Sequence, residues 1–229
     1  MTQSAATHFT VHGRATSSNV QALLWGMEEM GLAYHRVDRG GDHGGLDEPH
    51  FLAMNPQGLI PVLEVDGRAL FETAAILRYL AGEHAAPHLW PEDPLARAEV
   101  DMWAEWAKHE VAARFTGPVF WRVARTPPKR REPDLIRAAL DRLNAELAIA
   151  EERLKRTPFL IGEALTLADI QFGHILYRYF DIELDRRPFT AIHDYYTRLT
   201  ERSAYQRTVM VSYVSLTLPG SLPRMTDTP

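Results

Sequence analysis

The chain has 229 residues, 45% of them hydrophobic and 24% charged, with a formal net charge of -5 and no cysteine. Length and composition point to a globular protein of one large or two modest domains. The acidic balance argues against a nucleic-acid footprint, and the missing cysteines exclude disulfides, thiolate metal sites and a cysteine nucleophile. No apolar stretch approaches the roughly 18–20 residues of a membrane helix. The opening MTQSAATHF lacks the basic-then-apolar order of a secretion signal, so a cytoplasmic location is expected. The ten histidines include no HExxH-type pair, and no metal is expected.

Residues His8 to His12 alternate, with Phe9 and Val11 on one face, which predicts a short strand. A small polar loop over 13–19 leads into Val20, Leu23, Leu24 and Met27, the stripe of an amphipathic helix. Ser18 and Gln21 have capping-box spacing, and Gly31 is a natural stop. A second strand is expected over 33–37, an exposed Gly-, Asp- and His-rich loop over 38–49, and a helical turn over 51–54. Val62 to Val65 and Arg68 to Phe71 flank Asp66-Gly67, a strong hairpin signal. Ile76, Leu77 and Leu80 then mark a helix. The order fits one α/β domain over 1–86.

Pro87, Pro91 and Pro94 make 84–94 a candidate linker. Beyond it the pattern is helical and predicts an all-α domain over 92–229. A long helix covers 95–113 and carries Trp103 and Trp106, and 126–131 is a break. Ile136, Leu140, Leu143, Leu147, Ala150 and Leu154 form one long stripe. Helices over 166–180 and 189–202 follow, and the tail over 219–229 reads as loosely ordered.

Four segments carry candidate chemistry. In the loop Arg14 to Asn19 the hydroxyls lie near the unpaired N–H groups of a helix start, where anions are favoured. Ser17 and Ser18 either cap that helix or hydrogen-bond a bound thiolate. Pro61 precedes a strand and donates no ladder bond; a plain trans turn is the default there, and a cis bond would free the Ile60 backbone for an extended peptide. Thr73 looks like an N-cap, while Glu72-Thr73 could also hold the ammonium and carboxylate of an α-amino acid. Thr166 and Asp169 form a capping box and read as structural.

Together, and in this order, these segments resemble the cytosolic glutathione transferase superfamily. The resemblance rests on Asn55-Pro-Gln-Gly-Leu-Ile-Pro-Val-Leu63, Leu70-Phe-Glu-Thr-Ala-Ala-Ile-Leu-Arg-Tyr-Leu80 and Phe159-Leu-Ile-Gly-Glu-Ala-Leu-Thr-Leu-Ala-Asp-Ile170. Arg14-Ala-Thr-Ser-Ser-Asn-Val20 and Trp25 to Tyr34 look like the bacterial, serine-type members. It implies a thioredoxin-like N-terminal domain, a helical C-terminal domain, a homodimer and a role in detoxification. It makes Ile60-Pro61 the cis pair whose backbone meets the cysteinyl part of glutathione, and Glu72-Thr73 the pair that holds the γ-glutamyl group. Counted back from Tyr34, the serine-class position falls on Ser17, with Asn19 the competitor that some bacterial members use. Cysteine-type chemistry is excluded by composition, and Asn19 stands where the isomerase-like class carries cysteine.

The implied activity is conjugation of the glutathione thiolate to a hydrophobic electrophile, with glutathione as co-substrate and no metal. A glutathione-binding carrier or regulatory protein, or a glutathione-dependent isomerase, are the alternatives. Trp106, His109, Glu110 and Ala113 on the first long helix, with Arg14, are expected to line the electrophile's pocket. His43 either meets the glycyl carboxylate or sits on an uninvolved surface loop.

Overall fold

The computed structural model describes residues 8–84 and 86–218. Strands β1 (Phe9–His12), β2 (His35–Val37), β3 (Val62–Val65) and β4 (Arg68–Phe71) form one sheet in the order β2-β1-β3-β4. β1 pairs with β2 in parallel through Thr10–His35, Val11–Arg36 and His12–Val37. It pairs with β3 in antiparallel, from Phe9–Val65 to His12–Val62, and β3 continues antiparallel to β4, from Val65–Arg68 to Val62–Phe71. A parallel pair needs a crossover, and helix α1 (Ser18–Glu29) supplies it. At the hairpin, Asp66 and Gly67 take φ of 48° and 74°, the left-handed pair that a tight two-residue turn demands. Helices α2 (Pro49–Met54) and α3 (Thr73–Glu83) complete this half.

The α1 stripe faces the sheet and α3, as the periodicity requires. Gln21, Ala22 and Trp25 are buried as well, because a second layer covers the opposite face. A Cβ at Gly26 would stand 2.3 Å from Leu77, so only glycine lets α1 and α3 approach this closely. A Cβ at Gly173 would meet Leu199 at 2.6 Å and the Trp25 ring at 3.0 Å, which ties α1 to the helical half. The segment expected to be a linker is packed: Leu89 is buried and its carbonyl accepts from Leu167 N–H at 2.9 Å.

The helical half contains α4 (Pro94–Trp106), α5 (Ala113–Phe115), α6 (Arg122–Ala124), α7 (Pro133–Leu154), α8 (Leu167–Gly173), α9 (Leu176–Asp181), α10 (Thr190–Thr200) and α11 (Ser203–Thr208). The first helix does not stop at 113. It runs on to Ala124 through wide π turns at Ala107–Ala112 and Thr116–Trp121. Pro118 sits in the second of these, where its missing N–H breaks the regular ladder.

The single helix expected over 166–180 is two helices. The break follows Gly173, whose carbonyl accepts the Tyr205 hydroxyl at 2.9 Å instead of a helical N–H. The capping box forms as expected at Thr166 and Asp169. The buried Asp169 carboxylate also accepts from Leu160 N–H at 2.9 Å and Tyr195 Oη at 3.1 Å. No helix among the described residues is long and apolar enough to cross a membrane. The tail over 219–229 lies outside the described residues.

Candidate functional site

The strand register gathers the candidate segments. His12 stands beside Val37 and opposite Val62, and Val62 stands opposite Phe71. The loop leaving His12, the loop leaving Val37, the approach through Ile60-Pro61 and the exit into Glu72-Thr73 therefore all lie at the same end of the sheet. Segments separated by up to sixty positions in sequence become neighbours because both antiparallel ladders start at that edge.

The first loop is closely tied. Gly13 N–H donates to Val37 O at 2.8 Å, Arg14 N–H to Arg39 O at 3.1 Å, and Ser17 N–H to Arg14 O at 3.1 Å. Gly13 has a φ of 152°, and a Cβ there would stand 2.5 Å from Val20 and 3.3 Å from Ile60, which places the Ile60 side chain against the loop. From α9, Arg178 donates to Thr16 O at 2.7 Å and to Gln21 Oε1 at 3.2 Å. The expected capping box is absent: the N-cap is Ser17, its side chain makes no capping bond, and Ser18 is the first helical residue. The Ser17 hydroxyl is therefore not consumed by the helix start.

Asn19 has a partner that sequence patterns did not disclose. Lys108 Nζ, on the π turn after α4, donates to Asn19 Oδ1 at 2.6 Å. An ammonium has only donors, so this contact fixes which end of the Asn19 amide faces Lys108 and leaves Nδ2 as the second end. Burial holds the Lys108 ammonium below the ordinary lysine value, and the carboxylates of Glu72 and Glu105 oppose that shift. Burial, together with repulsion from Lys108 and Arg178, pulls His174 down to about 3 and keeps it neutral.

Ile60-Pro61 is cis. Asn55 shapes its approach by donating from Nδ2 to Leu59 O at 2.8 Å and accepting from Gln57 N–H at 3.1 Å. Ile60 itself precedes β3, outside the ladder. Thr73 is not the N-cap of α3. Glu72 holds that position, with a φ of 69° rare for a side chain of its kind, and Thr73 is the first helical residue and is buried. Holding a non-glycine residue there costs on the order of 1–3 kcal/mol, a cost that is found at sites where a side chain must be aimed. His43 ends the 3-10 turn Gly41–His43, half exposed and 4.0 Å from Asp38.

The four helix residues expected at the electrophile pocket have other partners. Trp106 donates to Glu146 Oε2 on α7 at 3.0 Å and stacks on Phe172. Glu110 pairs with Arg114, and Ala113 borders a cavity of about 330 Å³ with Arg114, Ala139 and Arg142. His109 is exposed and pairs with Glu105 at 3.1 Å. Trp106, Glu110 and Ala113 share a helix face as their spacing implies, but that face points to α7. Asp101, Glu105 and Lys108 hold the face toward the sheet half, where Arg78 binds both carboxylates. The larger cavity of about 540 Å³, bounded by Glu28, Glu29, Arg198 and Arg202, lies at the other end of α1. Its charges neutralise one another, as in the Arg202–Glu29 pair.

Comparison with known proteins agrees with this geometry. Residues 16–83 match the family described as Glutathione S-transferase, N-terminal domain, and residues 113–203 match Glutathione S-transferase, C-terminal domain. The chain is 33% identical over 204 residues to Glutathione S-transferase GstB of Escherichia coli (strain K12), covering 88% of this chain and 98% of that protein. A solved theta class glutathione S-transferase from Xanthomonas axonopodis pv. citri, with glutathione bound, is 39% identical. It superposes with a TM-score of 0.83 over 89% of this chain and 98% of its own. A delta-class glutathione transferase of Nilaparvata lugens, 23% identical with a TM-score of 0.78 over 87% of this chain and 92% of its own, shares the fold.

Proposed function

The chain belongs to the glutathione S-transferase family, and we propose that it conjugates the thiolate of glutathione to an electrophilic carbon. The observation that carries this reading is the convergence of the Ser17 loop, Ile60-Pro61 and Glu72-Thr73 at one end of the sheet. In this reading the Ile60 backbone pairs with the cysteinyl residue. Glu72 takes the γ-glutamyl ammonium, Thr73 and the α3 N-terminus take its carboxylate, and His43 faces the glycyl end.

Ser17 donates a hydrogen bond to the sulfur. Asn19, polarised by Lys108, offers a second donor, and the α1 N-terminus adds a favourable field. A free thiol has a pKa near about 8.5, so only a small share is thiolate at neutral pH. Lowering it by one or two pH units, about 1.4 kcal/mol each, raises the thiolate share at pH 7 to roughly a quarter or roughly three quarters. The sulfur lone pair then forms the C–S bond while the leaving group departs with its bonding pair, and the site's remaining contribution is proximity.

The chain boundaries proposed for this division of labour are 1–86 for the glutathione half and 92–229 for the helical half. A cytoplasmic homodimer active in detoxification is part of the same reading. The homodimer part of it draws support from the exposed apolar side chains Leu59, Phe71, Tyr79 and Met102. Arg78, on α3, is bound to Asp101 and Glu105 of its own chain. Light scattering on the eluting peak checks the oligomeric state. Calorimetric titration with glutathione tests the binding half of the reading, and conjugation of an activated aryl halide tests the transfer half. Absence of binding at millimolar glutathione would refute both.

A further inference from the structure

Arg14 and Arg178 lie against the loop that opens α1, Arg125 acts on Arg14 through its charge, and among the described residues none of the three is ion-paired. The Arg14 side chain lies along the glycine turn: a Cβ at Gly40 would stand 3.2 Å from its Nη1, and one at Gly41 would stand 3.3 Å from its Nε. Its Nε is buried without a hydrogen-bond partner. Arg178 is fully buried, supports Thr16 and Gln21, and also has an unpartnered Nε. Arg125, the exposed residue after α6, holds its guanidinium 3.8 Å above the Trp121 ring.

The three share one field. Burial and then Arg125 depress the ionisation of Arg14, with Asp42 weakly opposing, and Arg14 in turn contributes to depressing Arg178. By contrast, Arg36, Arg78, Arg114 and Arg202 all sit on carboxylates.

A desolvated cation without an anion is unfavourable. The chain has 30 acidic residues and a net charge of -5, so an internal partner was readily available to it. Arg14, partly desolvated and with its Nε unpartnered, is the cation that calls for an external anion, and the exposed Arg125 is open to the same anion. The surfaces beside them are aromatic: Trp121 under Arg125, and Phe120 and Tyr213 within 5.1 and 5.8 Å of Arg178.

We propose that the second substrate is an aromatic carboxylate electrophile, its carboxylate held by Arg14 and Arg125 and its ring carried toward the sulfur at Ser17. This rests on the glutathione transferase reading above. The thiolate forms the C–S bond at the carbon bearing a halide, and the halide leaves with the bonding pair. The carboxylate keeps its charge throughout, so the arginines bind and orient the substrate and take no proton.

The test uses the full chain saturated with S-methylglutathione, titrated calorimetrically with 3,5-dinitrobenzoate and with its uncharged amide, neither of which has a leaving group. The benzoate is expected to bind about tenfold tighter or more, and Arg14→Gln and Arg125→Gln each to remove most of that preference. Arg125 is exposed, so its variant folds regardless of what happens at Arg14. Equal binding of the two probes by the unaltered chain, or a preference that survives both substitutions, overturns the proposal. So does weaker S-methylglutathione binding by Arg14→Gln with the preference intact, which assigns Arg14 to the tripeptide's own glycyl carboxylate. If S-methylglutathione itself fails to bind, the glutathione reading falls and takes this inference with it.

Discussion

Lys108 Nζ donates a 2.6 Å hydrogen bond to Asn19 Oδ1, joining residues 89 positions apart and fastening the helical half to the first helix of the sheet half. Lys108 is a largely buried cation bonded directly to Asn19, the second donor proposed for the sulfur. Replacing it as Lys108→Met is expected to raise the thiol pKa of bound glutathione by about one pH unit, roughly 1.4 kcal/mol. The thiolate's ultraviolet absorbance, followed against pH, reads this directly. Lys108→Arg should restore part of the shift. A titration that Lys108→Met leaves in place would reduce Lys108 to a structural tie.

Ser17 occupies the N-cap of α1 without using its hydroxyl as a cap. Ser17→Ala should therefore lower kcat about tenfold or more while changing the glutathione Kd by less than about threefold. Steady-state kinetics beside calorimetry separates the two. Full turnover in Ser17→Ala, with the loss appearing in Asn19→Ala, would move the sulfur contact to Asn19.

Glu72 stands in a left-handed conformation at the start of α3. If it meets the γ-glutamyl ammonium, Glu72→Gln removes a charge-assisted hydrogen bond of about 1.5–3 kcal/mol. Glutathione affinity should then fall about tenfold to a hundredfold by calorimetry. Retained affinity would assign the ammonium elsewhere.

His174 is buried and neutral in the fold, its pKa pulled down to about 3 from an ordinary 6.5. Between those values the unfolded chain binds a proton that the folded chain does not, so stability falls as the solution is acidified. The loss begins near pH 6.5 and proceeds at about 1.4 kcal/mol per pH unit toward pH 3. Urea midpoints at pH 7 and pH 5, at fixed protein concentration, should differ less in His174→Gln than in the unaltered chain.

Asp169 is buried and accepts from Leu160 N–H at 2.9 Å, Thr166 N–H at 2.8 Å, Thr166 Oγ1 at 3.0 Å and Tyr195 Oη at 3.1 Å. Asp169→Ala strands those donors and removes half of a capping box, at a cost of about 3 kcal/mol or more. A chemical-denaturation midpoint within error of the unaltered chain would contradict that role.

Local periodicity was enough for much of this molecule. Alternation at Phe9 and Val11, the Asp66-Gly67 turn and the spacing of Leu140, Leu143 and Leu147 each follow from what a strand, a tight turn or a helix does to successive side chains. The Thr166–Asp169 box was legible for the same reason, since both partners lie within one helical turn. What periodicity left undecided was which neighbour a face meets. Trp106, Glu110 and Ala113 do form a stripe, but spacing is silent on whether α7 or the sheet half receives it.

The sequence by itself determined an α/β half, a helical half, the absence of any enzyme thiol, and the order of segments that the glutathione S-transferase family shares. Only the tertiary structure decided that Ser17 leaves its hydroxyl uncapped, that Lys108 reaches Asn19, and that Arg14, Arg125 and Arg178 share one field without an ion pair among the described residues. Those facts depend on contacts between residues tens to more than a hundred positions apart. Their energies come from burial and long-range charge, which no local pattern encodes.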